Sequence, residues 1–168
     1  MKKKIIFSIV TILVAVLFVS KSIRYEVGKN LNIFSAGSYA YAETYEFNTS
    51  EAELIKAVET LKKNNPKYLV PKVSINYQGQ HELKDERMEN GDFSFYFFDP
   101  QKNRIYNNTI YGGKHKSYLL FVSITDGLNL GNGSGKFINE DFSYSENEIV
   151  KKEFEEKFLN PIRKLVKQ

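Results

Sequence analysis

The sequence predicts an α+β protein: an N-terminal apolar helix, then a two-layer domain in which a four-stranded antiparallel meander is covered by an N-terminal and a C-terminal helix. Three observations carry that expectation. A lysine-led apolar run opens the chain, aromatic and β-branched residues crowd the stretch from Phe93 to Thr125, and a capping box stands at the head of each of two amphipathic segments. The boundaries that follow are 1–23 for a membrane segment, 24–47 for a connector and 48–168 for the folded domain.

Met1-Lys2-Lys3-Lys4 precedes a run from Ile5 to Val19 broken only by Ser8 and Thr11. Basic residues ahead of such a run build either a cleaved secretory signal or an uncleaved signal anchor. From Ile5 to Val19 a helix reaches about 22 Å, short of the roughly 30 Å hydrocarbon layer. Carrying the helix on to Ile23, with Lys21 reaching back toward the headgroups, extends it to roughly 28 Å. Ser20-Lys21-Ser22 is a poor cleavage site because a lysine sits between the small residues, and Ala36-Gly37-Ser38 and Ala40-Tyr41-Ala42 lie far downstream. The run therefore reads as an anchor, single-pass, with the domain outside the cytoplasm; secretion after cleavage is the alternative. Type IV pilin-like proteins share this layout. Their glycine before the apolar run and early glutamate are absent, since Lys4 precedes Ile5 and the first acid is Glu26.

Charge is distributed unevenly. Of 24 lysines and arginines and 20 acids, residues 1–42 hold six and one, which leaves 18 and 19 in the remainder. The body is nearly neutral, so no basic stripe is available to replace counterions along nucleic-acid phosphates, and no nucleic-acid partner is expected. The chain has no cysteine, which excludes disulfides, thiolate metal sites and a cysteine nucleophile.

Along the chain, Tyr41, Glu43, Tyr45 and Phe47 alternate and fit an added edge strand. Ser50 and Glu53 form a capping box, and Leu54, Ile55, Val58 and Leu61 then recur at helical spacing until Asn64-Asn65-Pro66. Lys62 is read as pointing away from that apolar face. Val73, Ile75 and Tyr77 alternate in a first strand over Tyr68 to Gln78, and His81 to Gly91 reads as a solvated loop.

The meander continues with Phe93–Phe98, Arg104–Tyr111 and Ser117–Thr125. Asp99-Pro100-Gln101-Lys102-Asn103 and Gly112-Gly113 supply its turns. Leu119-Leu120-Phe121-Val122 is apolar on both faces, which places the last strand centrally. Asp126 to Tyr144 is a long connection around Gly131-Asn132-Gly133-Ser134-Gly135. A second capping box is expected at Ser145 and Glu148, with Tyr144 stapled to Ile149, and Pro161 should kink or break the final helix.

Chemical motifs are sparse. His81-Glu82-Leu83-Lys84-Asp85 lacks the second histidine of the zinc-protease pattern, and Gly131 to Lys136 fails both the P-loop and dinucleotide patterns. Asp126, Asn129, Asn132, Glu140 and Asp141 offer oxygens without EF-hand spacing. No serine-nucleophile motif occurs. No catalytic, cofactor-binding or metal-binding residue is therefore assigned.

The expected function is an anchored extracytoplasmic domain that binds another envelope protein without catalysis. Its contact surface is expected around Tyr106, Asn108 and Tyr111 and on the glycine-rich loop at Asn132 and Ser134. Two alternatives remain: a secreted hydrolase or metal-dependent enzyme using His81, His115 or the Asp126 region, and a secreted inhibitor or immunity-type protein.

Overall fold

The computed structural model describes residues 21–26, 39–131 and 133–167. The chain divides into two units, 1–40 and 41–168. In the first, residues 21–26 are helical. The apolar run Ile5 to Val19 lies outside the described residues, and no helix among the described residues is long and apolar enough to cross a membrane.

The second unit is α+β, with antiparallel strands dominating. Its large sheet has the order β1-β7-β6-β5-β4, with β9 also paired to β7. These strands are β1 (Glu43–Phe47), β4 (Glu86–Arg87), β5 (Phe93–Asp99), β6 (Arg104–Gly112), β7 (Ser117–Asp126) and β9 (Gly135–Phe137). Strands β5, β6 and β7 form the expected meander, and β7 is central. Gly112 at the β6–β7 turn is required by close approach, because a Cβ there would lie 2.6 Å from the Ser117 Cα.

The fourth strand of the meander is corrected. Only Val73–Ile75 (β2) of the expected first strand is extended, and it belongs to a second sheet of order β3-β2-β8, with β3 at Gln78–His81 and β8 at Asn129–Leu130. Asn76 and Tyr77 have φ of +50° and +61°, so they turn the chain between β2 and β3, and Tyr77 is 88% exposed. Two strands flank the meander instead: β4, within the stretch His81 to Gly91 expected to be a solvated loop, pairs antiparallel with β5 from Glu86 opposite Ser94 to Arg87 opposite Phe93, and β1 pairs antiparallel with β7 from Glu43 opposite Phe121 to Phe47 opposite Ser117.

One edge of β7 is shared by two partners. Strand β1 covers residues 117–121 and β9 covers 123–125. Between them lies a bulge: Asn107 faces Ser123 while Asn108 faces Phe121, leaving Val122 as the extra residue. The bulge shifts the phase of the pleat. Leu119 and Phe121 face the core before it, and Ile124 does so after it. The Val122 carbonyl is not stranded, since it accepts the Ile138 N–H at 3.0 Å.

Helix α1 (Glu51–Asn64) begins at the predicted capping box, with both reciprocal bonds between Ser50 and Glu53 formed. Helix α2 (Tyr144–Phe154) also begins at a capping box, but two residues earlier than expected, at Ser143 and Glu146. Both registers fit the S-x-x-E pattern. Phe142 decides between them, because starting the helix after Ser143 lets it bury Phe142 and Val150 and leaves Ile149 58% exposed. The staple between Tyr144 and Ile149 is therefore not made. A π turn at Glu155–Leu159 precedes helix α3 (Asn160–Val166), and Asn160 donates to the Glu155 carbonyl five residues back. Pro161 lacks an N–H and crowds the carbonyl four residues before it, and the widened turn just upstream accommodates that conflict.

These helices cover one face of the large sheet. Phe154 stacks on Phe121 at 4.3 Å and Phe158 on Phe97 at 4.4 Å, with Tyr106 between them in contact with both. The small sheet packs elsewhere, burying Val73 with Phe98 and Ile105. The long connection after β7 is not a structureless loop. It carries β8 and β9 and buries Ile138 and Phe142 in the core.

Candidate functional site

The pleat sorts the residues expected to form the contact surface. Successive side chains on a strand point to opposite faces, so Tyr106 and Asn108 share one face of β6 and Tyr111 takes the other. That first face is the helix-covered one, and Tyr106 and Asn108 are both 0% exposed. They are core residues and are withdrawn from the contact surface. Burial pushes the Tyr106 hydroxyl up to about 12. The Asn108 Nδ2 donates to the Tyr106 carbonyl at 3.0 Å.

Tyr111 is 38% exposed on the other face, whose open part lies away from the small sheet packed on Phe98 and Ile105. Its ring stacks on Tyr118 at 5.0 Å and 18° across the β6–β7 pair. Lys116 Nζ lies 5.6 Å from the centre of the Tyr118 ring and 2.9 Å from Glu46 Oε2. The aromatic pair and its cation form a compact patch. Of the glycine-rich loop, Asn132 lies outside the described residues. Ser134 donates its N–H to the Gly131 carbonyl at 3.1 Å in the turn from β8 to β9. Among the described residues the loop leads into β9 and not into a helix, so no helix N-terminus stands beside it to hold a phosphate.

The residues considered for metal or hydrolytic chemistry do not converge. His81 ends β3 in the small sheet, while His115 lies in the β6–β7 turn. Asp126 closes β7, about 30 Å from that turn along an extended strand. Its carboxylate binds the Arg104 Nε at 2.6 Å. Asn129 Oδ1 accepts from Ser74 Oγ and the Tyr77 N–H, and Asp141 Oδ2 accepts the Phe137 N–H. Asp126, Asn129 and Asp141, three of the five residues that offered oxygens for calcium, thus each bind a separate partner. Among the described residues no three histidines, aspartates or glutamates are grouped to hold a metal ion.

The structure reveals a different site at Lys62. It lies on the last turn of α1, is 6% exposed, and pairs with the carboxylate of Asp85. Its ammonium also lies 5.3 Å from the Phe97 ring centre and 5.7 Å from that of Phe95. The other Asp85 oxygen accepts the Tyr96 N–H at 3.2 Å, beyond the point where β4 stops pairing with β5. Together Lys62, Leu69, Val70, Leu83, Lys84, Asp85 and Tyr96 line a cleft of about 350 Å³. Burial holds the Lys62 ammonium below the usual lysine range, and Asp85 and Glu59 oppose that shift without cancelling it.

One signal for Lys62 is present in the sequence: Val58 and Lys62 stand four residues apart, on adjoining turns of one helix flank. Lysines at the margin of an apolar stripe ordinarily carry their charge out to water, which is why the pattern reads as solvated. Its burial depends on Asp85, 23 residues away.

Fold and sites together define a small α+β domain with one aromatic surface patch and one lysine cleft. Comparison with protein-family models, with curated proteins and with solved structures finds no match to this chain.

Proposed function

We propose that this chain is a membrane-anchored extracytoplasmic domain of the cell envelope that binds an envelope protein and performs no catalysis of its own. The observation that carries the reading is the separation of character along the chain. Three lysines and the apolar run Ile5 to Val19 lead, and a body of near-zero net charge follows. Such a leader addresses a chain to the membrane. Partner binding then falls to the open sheet face, where Tyr111, Tyr118 and Lys116 offer the aromatic and cationic contacts enriched at protein interfaces.

An enzyme built on His81, His115 and Asp126 lacks the convergence that acid–base or metal chemistry requires. The test is fractionation of the native host with intact-mass measurement of the protein in each fraction, followed by crosslinking in the membrane. Full-length mass in the membrane fraction, with a crosslinked protein partner, is the expected result. A shortened chain in the soluble fraction would overturn the anchor and favour a secreted binding protein.

A further inference from the structure

The Lys62 cleft combines features that an ion pair serving only to hold the fold does not need. The pair does not sit in sealed packing: Lys62 and Asp85 both line a cleft whose wall includes the apolar Leu69, Val70 and Leu83, and Asp85 keeps about a quarter of its side chain exposed at 26%. We propose that Lys62 is a carbonyl-binding amine, and that the cleft takes a small aldehyde or ketone with an apolar body and an anionic end.

The parts fit that chemistry. An amine attacks a carbonyl only when neutral, and desolvation among Leu69, Val70, Phe95 and Phe97 favours the neutral form. Asp85 stands within hydrogen-bond reach as the acceptor of the ammonium proton, and the Tyr96 N–H keeps its carboxylate oriented. With that proton on Asp85, the Nζ lone pair forms a bond to the carbonyl carbon and the carbonyl π pair moves to oxygen. The oxygen takes the proton from Asp85, giving a carbinolamine whose nitrogen still carries two protons and the positive charge. Loss of the hydroxyl with one of those protons, as water, leaves a protonated imine facing the Asp85 carboxylate. One carbonyl oxygen departs in that water and no oxidant or reductant is consumed. Lys84, on the cleft wall, supplies the positive charge that an anionic end would meet. None of these residues belongs to the Tyr111 patch, so this inference stands or falls apart from the anchored-binding reading.

The full-length chain is treated at neutral pH with limiting 4-formylbenzoate and cyanoborohydride, which reduces any imine to a stable secondary amine, and the modified lysines are mapped by peptide mass. Lys62 should be modified at least about tenfold faster than its exposed neighbours Lys63 and Lys67, as expected for a desolvated amine beside a proton acceptor. Asp85→Asn should bring Lys62 down to the rate of Lys63, while Asp85→Glu, which keeps the acid, should retain the preference in a chain that still melts cooperatively. Labelling of Lys62 no faster than Lys63 in the native chain, or only after denaturation, would overturn the proposal and leave Lys62 and Asp85 as an ion pair of the fold.

Discussion

Asn147 and Asn139 exchange hydrogen bonds: the Asn139 N–H donates to Asn147 Oδ1 at 3.1 Å, and Asn147 Nδ2 donates to Asn139 Oδ1 at 2.6 Å. Asn139 then reaches the Tyr41 carbonyl and Glu43 Oε2 with its own amide, both at 3.1 Å. This relay ties α2 through the turn after β9 to the start of β1. Asn147 is wholly buried, so both ends of its amide depend on this one partner.

Replacing Asn147 by alanine takes the partner from the half-buried Asn139 N–H and Oδ1, while Asn139 Nδ2 keeps its bonds to Tyr41 and Glu43. The expected cost is about 1–3 kcal/mol, the desolvation penalty of unmatched buried polar groups. Urea unfolding should show a lower midpoint with an unchanged slope. A midpoint equal to that of the parent chain would mean that water replaces the lost amide.

The position of the second cap separates two registers of the same motif. Ser143→Ala removes the bond to the Glu146 N–H and should cost about 1 kcal/mol. Ser145→Ala lies inside the helix and should leave stability within about 0.5 kcal/mol of the parent. Thermal melts of the two variants rank them, and the reverse ranking would place the helix start two residues later.

Phe158 stacks on Phe97 with an interplanar angle of 2° and also meets Tyr68, Tyr106 and Phe154. Phe158→Ala should cost about 3–5 kcal/mol through lost transfer energy and the cavity left behind. Against a total stability of roughly 5–15 kcal/mol for a domain of ordinary size, such a loss is read readily by denaturant titration. Phe158→Leu should recover much of it.

Glu53 accepts hydrogen bonds from Thr49 and Ser50, which hold its carboxyl down at about 2, below the ordinary 4.5 of a free glutamate. A depressed folded value means that the stabilisation is present above the unfolded value and is lost as pH falls through the folded one. The difference in melting temperature between the parent and Glu53→Gln should therefore be constant above about pH 5 and shrink between 4.5 and about 2. A difference that persists undiminished at the acid end would remove the charge from the explanation.

Tyr111→Ala should leave the melting temperature nearly unchanged, because the ring is more than one-third exposed and lies on the open face. The same variant should lose the crosslinked partner in the membrane fraction, since aromatic residues carry a large share of interface energy. Undiminished crosslinking would move the contact surface elsewhere.

Features written in short stretches were legible from the sequence. The Ser50 box, the turns at Asp99-Pro100 and Gly112-Gly113 and the three strands of the meander each arise from interactions within a few residues. The second capping box was expected at Ser145 and Glu148 and is found two residues earlier, at Ser143 and Glu146, which fit the same spacing. The choice went to the register that buries Phe142.

The candidate contact surface was only partly readable for a related reason. A strand reveals its two faces by alternation, yet β6 carries tyrosine and asparagine on both, with Tyr106 and Asn108 even and Asn107 and Tyr111 odd. Which set meets the helices is settled by the partners across the sheet, Phe95 and Phe97 on β5 and Phe121 and Ile124 on β7.

Composition and near neighbours suffice for the lysine-led apolar run, the nearly neutral body, the helix start at Ser50 and the aromatic meander. Tertiary structure alone decided the Val122 bulge, the parallel pairing of β2 with β8 and the meeting of Lys62 with Asp85. The last two join residues far apart in the chain, and the bulge sits where β7 passes from one edge partner, β1, to the other, β9. Whether a lysine stays buried is a balance between the loss of water and the arrival of a carboxylate, and the arrival is set by the fold.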